Sequence, residues 1–344
     1  MRAAIYNPYL DTLGGGERYT LSFAKVLAKN GYDVDLEWKD QRIKETLEKR
    51  FGMDLSGINV IPDVKKGDGY DLCFWVSDGS IPLMHARRNI LHFQVPFHGV
   101  NGKSLINKMK LFRINKVVCN SNFTKNVIDK EFGIKSVVIY PPVDTESFKP
   151  KRKENTILYV GRFSQILQNK GQDVLISSFR KLFDQGLKDW KFILAGGIEV
   201  GVTDGLAGIK ELAAGYPIEI IESPDFLTLK DLYGKAKIYW SASGVNQNEN
   251  TNPEKVEHFG ITVVEAMSAG AIPVVFNGGG HKEIVEEAVS GYLWKSPDEL
   301  EKKTVKLISN NKQFHMFEMN VIKKSGEYSI SNFEKSVVSY ILRK

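Results

Sequence analysis

Two carboxylates, Glu257 and Glu265, stand on either side of a glycine turn in Glu257-His258-Phe259-Gly260-Ile261-Thr262-Val263-Val264-Glu265-Ala266-Met267-Ser268-Ala269-Gly270. Gly260 lets the backbone turn tightly before Ile261. The first free N–H groups of the small-residue helix that follows then point out together, and the helix dipole reinforces them as an anion site. A phosphate held there would have Glu257 on one side of it and Glu265, two turns into the helix, on the other. A sugar and a ribose would suit those two acceptors. Earlier in the chain, Gly14-Gly15-Gly16 lies between a strand and a helix. The amides of Gly15 and Gly16 can approach a phosphate without side-chain obstruction, although a plain flexible loop explains three glycines equally well. It is not a dinucleotide fingerprint: Gly-x-Gly-x-x-Gly is absent, and Asp33-Val34-Asp35-Leu36-Glu37 alternates where a single terminal acid would stand.

With Phe-Gly-Ile-Thr between the two glutamates and Glu-Ala-Met-Ser-Ala-Gly after them, the stretch resembles the signature of family 4 retaining glycosyltransferases, whose fold is GT-B. The likeness covers nearly the whole chain, from Gly14-Gly15-Gly16-Glu17 through Gly161-Arg162 and Lys170-Gly171 to Asn277-Gly278-Gly279-Gly280. It implies an enzyme that moves a hexose, with retention, from a nucleotide diphosphate sugar to a hydroxyl acceptor in glycan, polysaccharide or glycolipid synthesis. By the same resemblance the catalytic set is Glu257, His92, Arg162 and Lys170. Glu257 faces the donor sugar, and Arg162 and Lys170 neutralise the charge that develops on a diphosphate leaving group. The donor would be held by Gly15, Gly16, Arg162, Lys170, Phe259, Gly260, Ile261 and Thr262, with Glu265 accepting from the ribose hydroxyls. No cofactor and no metal ion are expected, because the two cations can replace a divalent ion at the diphosphate and no Asp-x-Asp signature stands in a relevant loop.

His92 ends the apolar run Ile90-Leu91-His92-Phe93. Similar enzymes place a histidine there beside the sugar, which implies substrate positioning and charge stabilisation; a core histidine is the other reading. Ser77-Asp78 is a weaker candidate for acceptor contact, and His98 and His281 are weaker still. Two departures from the family pattern matter. The polar stretch from Gly244 to Pro253 lengthens the approach to Glu257 and is either a loop touching donor or acceptor or a disordered one. His258 replaces the commoner proline, as in mannosyltransferases that extend lipid-linked oligosaccharides, which tilts the donor toward GDP-mannose and leaves a UDP-sugar open. A nucleotide-sugar epimerase, a sugar phosphorylase or a non-catalytic sugar-nucleotide-binding protein would share the fold. The phosphorylase would need a pyridoxal-phosphate lysine, and none is identifiable.

Positioning these residues needs a scaffold, and short β-branched runs alternating with amphipathic stretches supply it. Strands are expected at Ala3 to Tyr6, Asp33 to Trp38, Tyr70 to Val76, Asn89 to Gln94, Val117 to Asn120 and Val137 to Tyr140, with helices from about Gly16 to Lys29 and from Ser121, an N-cap, to Phe132, ended by Gly133. After a proline-rich linker, Pro141 to Asn155, the alternation restarts. Strands are expected at Thr156 to Val160, Lys191 to Ala195, Ile218 to Ile221, Ile238 to Ser241 and Ile272 to Phe276, with helices at Gln172 to Asp184 and Leu229 to Ala236. Alternation of this kind gives parallel sheets covered on both faces. The fold class is therefore α/β: two doubly wound Rossmann-like domains facing an interdomain cleft. Residues 1–145 form the acceptor side, 146–330 the nucleotide-sugar side, and 331–344 a helix crossing back to the first domain. The loops after Tyr6, Val160, Ala195, Ser241 and Phe276 should carry the ligands.

At 344 residues the chain suits two domains of roughly 150 residues each, and 42% apolar with 26% charged residues is a globular composition. Cys73 and Cys119 sit in apolar runs without Cys-x-x-Cys spacing, fitting small core residues in a reducing compartment. The net charge of +6 permits an anionic ligand or surface, and no motif supports nucleic-acid binding. With no signal-peptide pattern in Met1 to Tyr6 and no long apolar run, the expected location is cytoplasmic, with a peripheral place at the inner face of a membrane. That last expectation rests on Lys103 to Lys116, a basic amphipathic helix with Leu105, Ile106, Met109 and Phe112 on one face. It either lies in a lipid interface or turns that face to the core.

Overall fold

The computed structural model describes residues 1–163, 170–197 and 204–343. Asn169, beside Lys170, and the greater part of the loops after Val160 and Ala195 lie outside the described residues. The chain divides into two compact units, residues 1–142 with 330–344, and residues 143–329.

The first unit is built on β1 (Arg2–Tyr6), β2 (Asp33–Glu37), β3 (Ile58–Ile61), β4 (Leu72–Val76), β5 (Arg88–Phe93), β6 (Lys116–Cys119) and β7 (Val137–Val138), in the order β3-β2-β1-β4-β5-β6-β7. Every pairing is parallel. Ala3, Ala4 and Ile5 are all buried, so both faces of the central strand are covered and its sequence reads as continuous apolar residues rather than as an alternation. The Gly15–Lys29 helix lays Tyr19, Phe23 and Leu27 on this sheet. The Ile330–Val337 helix belongs to the same unit: Phe333 and Val337 enter its core, with the Phe333 ring edge-on to Tyr19, and Glu334 pairs with Lys29 at 2.9 Å.

The second unit carries β8 (Glu154–Val160), β9 (Lys191–Gly196), β10 (Ile218–Glu222), β11 (Ala236–Ser241), β12 (Ile272–Phe276) and β13 (Tyr292–Trp294), in the order β10-β9-β8-β11-β12-β13, again all parallel. The expected linker is only partly a linker. From Val143 onward it is packed on this unit: Val143 donates its N–H to the Tyr328 carbonyl, Phe148 is buried, and the Ser268 hydroxyl lies 2.9 Å from the carbonyls of both Thr145 and Phe148.

Strand order reverses between β1 and β4 in the first sheet and between β8 and β11 in the second. In doubly wound sheets ligands bind beyond the carboxyl ends of the strands at such a switch point. In the second unit that edge is where Arg162, Lys170 and the Glu257–Glu265 stretch emerge.

Candidate active site

The Ile261–Ser268 helix begins at Gly260, whose φ of 115° lies in the left-handed region. A Cβ there would also press on Ile284 and His281, at 3.2 and 3.3 Å, so conformation and space both ask for glycine. Val263, Val264, Ala266, Met267 and Ser268 are buried, which leaves Ile261, Thr262 and Glu265, at helical spacing, as the face that is open. The two polar side chains of that face are held from behind. The Tyr239 hydroxyl lies 2.9 Å from Thr262 Oγ1, and the buried Tyr233 hydroxyl donates to Glu265 Oε2 at 2.9 Å. One carboxylate oxygen of the partly buried Glu265 is thus held by Tyr233.

Glu257 is positioned by backbone. Gly280 donates its N–H to the Glu257 carbonyl at 2.8 Å, and the chain at Gly279 and Gly280 runs so close that a Cβ would fall 2.0 Å from the Glu257 carbonyl oxygen or 2.4 Å from Phe259 Cα. Gly279 and Gly280 therefore act as a backbone-to-backbone clamp on the segment before the helix. Lys170 reaches the Glu257 carboxylate from the start of the Gln172–Asp184 helix, Nζ to Oε2 3.1 Å, with the two side chains only 18% and 20% exposed. Burial pushes the Glu257 carboxyl up, but Lys170 above all, then His281 and His258, outweigh it and hold the pKa down at about 2. Burial lowers both imidazoles, so near neutral pH the compensating charge is that of Lys170. Their ring nitrogens face backbone carbonyls, His258 Nε2 at 3.0 Å from Glu254 and His281 Nδ1 at 2.9 Å from Phe276.

Arg162 follows β8 with its side chain exposed, and its carbonyl accepts from Gln172 Nε2 at 3.0 Å. The same amide donates to the buried Tyr159 hydroxyl at 3.1 Å, tying the Arg162 turn to the helix that carries Lys170. The segment from Gly244 to Pro253 is ordered by turns, and the Glu249 carboxylate accepts from the Gly279 N–H at 2.9 Å and pairs with Lys282. The disordered reading of that segment does not hold. A shallow hollow lined by Lys151, Arg152, Lys153, Asp189 and Lys235 lies at the opposite, amino edge of the sheet and is unrelated to these residues.

The first unit holds the remaining candidates. His92 is 0% exposed, its ring stacked on Tyr19 with centroids 4.2 Å apart and close to Phe74, and its Nδ1 is 3.2 Å from the Val118 carbonyl. Burial drives its pKa down to about 3. It is a buried, neutral histidine here, which favours the core reading, yet its Nε2 has no hydrogen-bond partner, so a polar group of a ligand remains a proposal for that nitrogen. Gly15 and Gly16 do begin a helix, but the buried Glu17 folds back on it, accepting from the Gly14 N–H at 2.7 Å and the Thr12 hydroxyl at 2.8 Å. These glycines therefore open a helix with a capping box at Gly14, while the Gly15 and Gly16 amides are not bonded by that carboxylate, so donor binding there remains a proposal. Ser77 is buried, with its hydroxyl spent on the Ser80 carbonyl, and Asp78 closes the same turn by accepting from Ser80. His98 is exposed, and His281 is buried behind Gly260.

A residue missed in the sequence stands near His92. Gln94, beyond the carboxyl end of β5, lays its amide over Gly16, where a Cβ would lie 2.0 Å from Oε1, and Oε1 is buried with no hydrogen-bond partner. A buried acceptor without a partner asks for a donor, and a hydroxyl would serve. Glutamine does not titrate and belongs to no motif; the signal open to sequence reading was its place after a strand.

Two doubly wound parallel sheets of this kind define the GT-B class. The structure matches the Anabaena protein Alr3699/HepE in complex with UDP and glucose with a TM-score of 0.76, covering 99% of each chain at 17% identity, and a glycosyltransferase from Rickettsia africae with a TM-score of 0.77, covering 98% and 97% at 20% identity. At those identities the likeness shows the fold alone. The family described as "Glycosyl transferases group 1" matches residues 142–324 and "Glycosyltransferase Family 4" matches residues 13–147, and the chain belongs to this glycosyltransferase family. A GDP-Man:Man(3)GlcNAc(2)-PP-Dol alpha-1,2-mannosyltransferase from Dictyostelium discoideum is 27% identical over 64% of this chain and 45% of its own length. An uncharacterised glycosyltransferase from Haemophilus influenzae is 25% identical over 89% of this chain and 90% of its own. The chain thus spans about half the length of the mannosyltransferase relative. Among the described residues no helix is long and apolar enough to cross a membrane.

Proposed function

We propose that this protein transfers a hexose from a nucleotide diphosphate sugar to a hydroxyl of a glycan or lipid-linked saccharide, with retention and without a divalent ion. The observation that carries the reading is the Lys170–Glu257 pair beside a glycine-opened helix N-terminus at a sheet switch point, with Thr262 and Glu265 on that helix's open face. In this reading the diphosphate lies against the amides of Phe259 to Ile261, with Arg162 and Lys170 beside it, so that leaving-group charge develops among fixed positive charges. Glu265, aligned by Tyr233, accepts from the ribose hydroxyls. Glu257, held ionised by Lys170, faces the sugar. The mannosyltransferase relatives support GDP-mannose as the donor to test first, with UDP-sugars beside it. The acceptor is met at the cytoplasmic face of a membrane, where the protein is peripheral.

Transfer from UDP-, GDP- and ADP-sugars to saccharide and lipid-linked saccharide acceptors, read by release of the nucleoside diphosphate, tests the proposal. Release is expected with one donor class, undiminished by EDTA, because Arg162, Lys170 and the helix N-terminus supply the positive potential. No release with any donor overturns the transfer reading. Loss in EDTA restored by manganese or magnesium overturns its metal-independent part.

A further inference from the structure

The Leu105–Leu111 helix of the first unit is anchored by one apolar face and exposes a second. Leu111 and, just beyond the helix, Ile114 pack against the cluster of Leu91, Phe93, Val117 and Phe132, and Arg113 Nε donates to the Met84 carbonyl at 2.9 Å. Ser104 caps the helix start by accepting from the Asn107 N–H. The element is therefore fixed on its unit without Leu105, Ile106, Met109 or Phe112. Those four side chains are 74%, 66%, 69% and 93% exposed. They lie at i, i+1, i+4 and i+7, one stripe along the helix, and form an apolar patch on the order of a few hundred Å², the size that marks an interaction site. The core-facing alternative for this stripe is excluded by these exposures.

Along the chain the charge around the stripe is of one sign, and Glu131, which folds onto the loop before the helix, has its carboxylate taken by the N–H groups of Gly99 and Gly102. Lys103, Lys108, Lys110, Arg113 and Lys116 flank it, and no acidic residue occurs between Phe97 and Ile128. A protein partner of ordinary surface would meet a mixture of charges. A large apolar stripe between cations instead matches the layering of an anionic bilayer, with hydrocarbon below and phosphate at the level of the lysines.

We infer that this helix is a membrane-docking element: Leu105, Ile106, Met109 and Phe112 enter the acyl boundary of an anionic bilayer while the surrounding lysines hold its headgroup phosphates. The inference deepens the membrane-surface placement proposed above and rests on it, naming the element that makes the contact. Docking here has two parts, insertion that persists at high salt and attraction that salt removes.

The test is co-sedimentation of the full chain with vesicles of phosphatidylcholine alone and of phosphatidylcholine mixed with phosphatidylglycerol. The variants are Leu105→Ser/Phe112→Ser and Lys108→Gln/Lys110→Gln. The serine variant is expected to lower partitioning into the mixed vesicles about tenfold or more at every salt concentration, since each buried CH₂ contributes about 0.8 kcal/mol. The glutamine variant should lower it about tenfold at low salt, with the difference vanishing at high salt. These side chains are mainly solvent-facing, so unchanged thermal unfolding should accompany both. Equal pelleting of wild type and the serine variant overturns the inference. So does a wild type that ignores vesicles but self-associates through Phe112, which would make the occupant a second copy. Nucleotide-sugar binding by the same variants is measured in parallel. Its loss in the wild type would refute the transfer reading alone, and its retention with failed docking would refute docking alone.

Discussion

Lys170→Ala is expected to lower turnover by about two to three orders of magnitude, the scale seen when a preorganised group facing developing negative charge is removed. Lys170 and Glu257 are both about four-fifths buried and 3.1 Å apart. Removing the amine takes away a cation from the proposed leaving group and leaves the Glu257 carboxylate facing it uncompensated. Donor affinity should fall less than turnover, because leaving-group charge is larger in the transition state. Breaking such a pair from one side costs about 3 to 5 kcal/mol of stability, through the stranded buried charge. The control is Lys170→Ala/Glu257→Gln, which should recover much of the stability and none of the turnover. Glu257 has its folded pKa depressed, so its pairing contributes stability above about 4.5 that is lost as pH falls toward about 2. In Lys170→Ala that contribution should disappear. Wild-type turnover in the single variant, with the correct donor, would remove Lys170 from the diphosphate site.

The second large effect is acid destabilisation through His92. Its folded pKa is depressed from 6.5 to about 3, so between those values the unfolded chain binds a proton that the native state refuses. Stability is full above about pH 6.5 and is lost progressively as pH falls. At pH 4 the loss from this one group is about 3 kcal/mol, from 1.36 kcal/mol per unit over 2.5 units. His92→Phe should unfold with a shallower pH dependence between pH 6.5 and 4, by about one proton, in denaturant titrations at stepped pH. His258 and His281, also depressed by burial, add the same slope to both proteins and cancel in the comparison. An unchanged pH profile together with lost turnover would return His92 to the sugar site.

The contrast between His92 and Gln94 shows where sequence reading ends. The apolar run marks His92 as belonging to a strand, but how far along the strand the covering helix reaches is set by tertiary packing, and with Tyr19 stacked on its ring and Phe74 close by His92 is fully buried. Elements with strong local chemistry were legible to the residue: the Ser121 cap, whose hydroxyl accepts from the Thr124 N–H, the left-handed Gly133 stop, the Gln172–Asp184 helix and the Ile272–Phe276 strand. Tyr292–Trp294 was not, because three residues carry no readable period and the strand exists by pairing with β12. The Ile43–Phe51 helix, with Leu47 its one buried residue, gives too little apolar pattern to stand out. In the site, the Glu257–Glu265 stretch was legible because a glycine turn and two acids are local features. The clamp of Gly279 and Gly280 on the Glu257 segment was not, since it needs two segments brought together. Likewise the sequence showed that Lys103 to Lys116 is amphipathic, but only packing shows that Leu111 and Ile114 turn inward and the Phe112 stripe outward.

The most direct test of the central claim, a nucleotide diphosphate sugar held at the Gly260-opened helix, is thermal unfolding of the wild type and Glu265→Ala against UDP, GDP, ADP and their sugars. A ligand at about a hundred times its dissociation constant stabilises by roughly 2.7 kcal/mol. The wild type should show that stabilisation with one nucleotide class, more with its sugar. Glu265→Ala should lose most of it, because a charged acceptor for the ribose hydroxyls contributes about 1 to 3 kcal/mol. No stabilisation of the wild type by any member of the panel, or equal stabilisation of both proteins, would contradict the account.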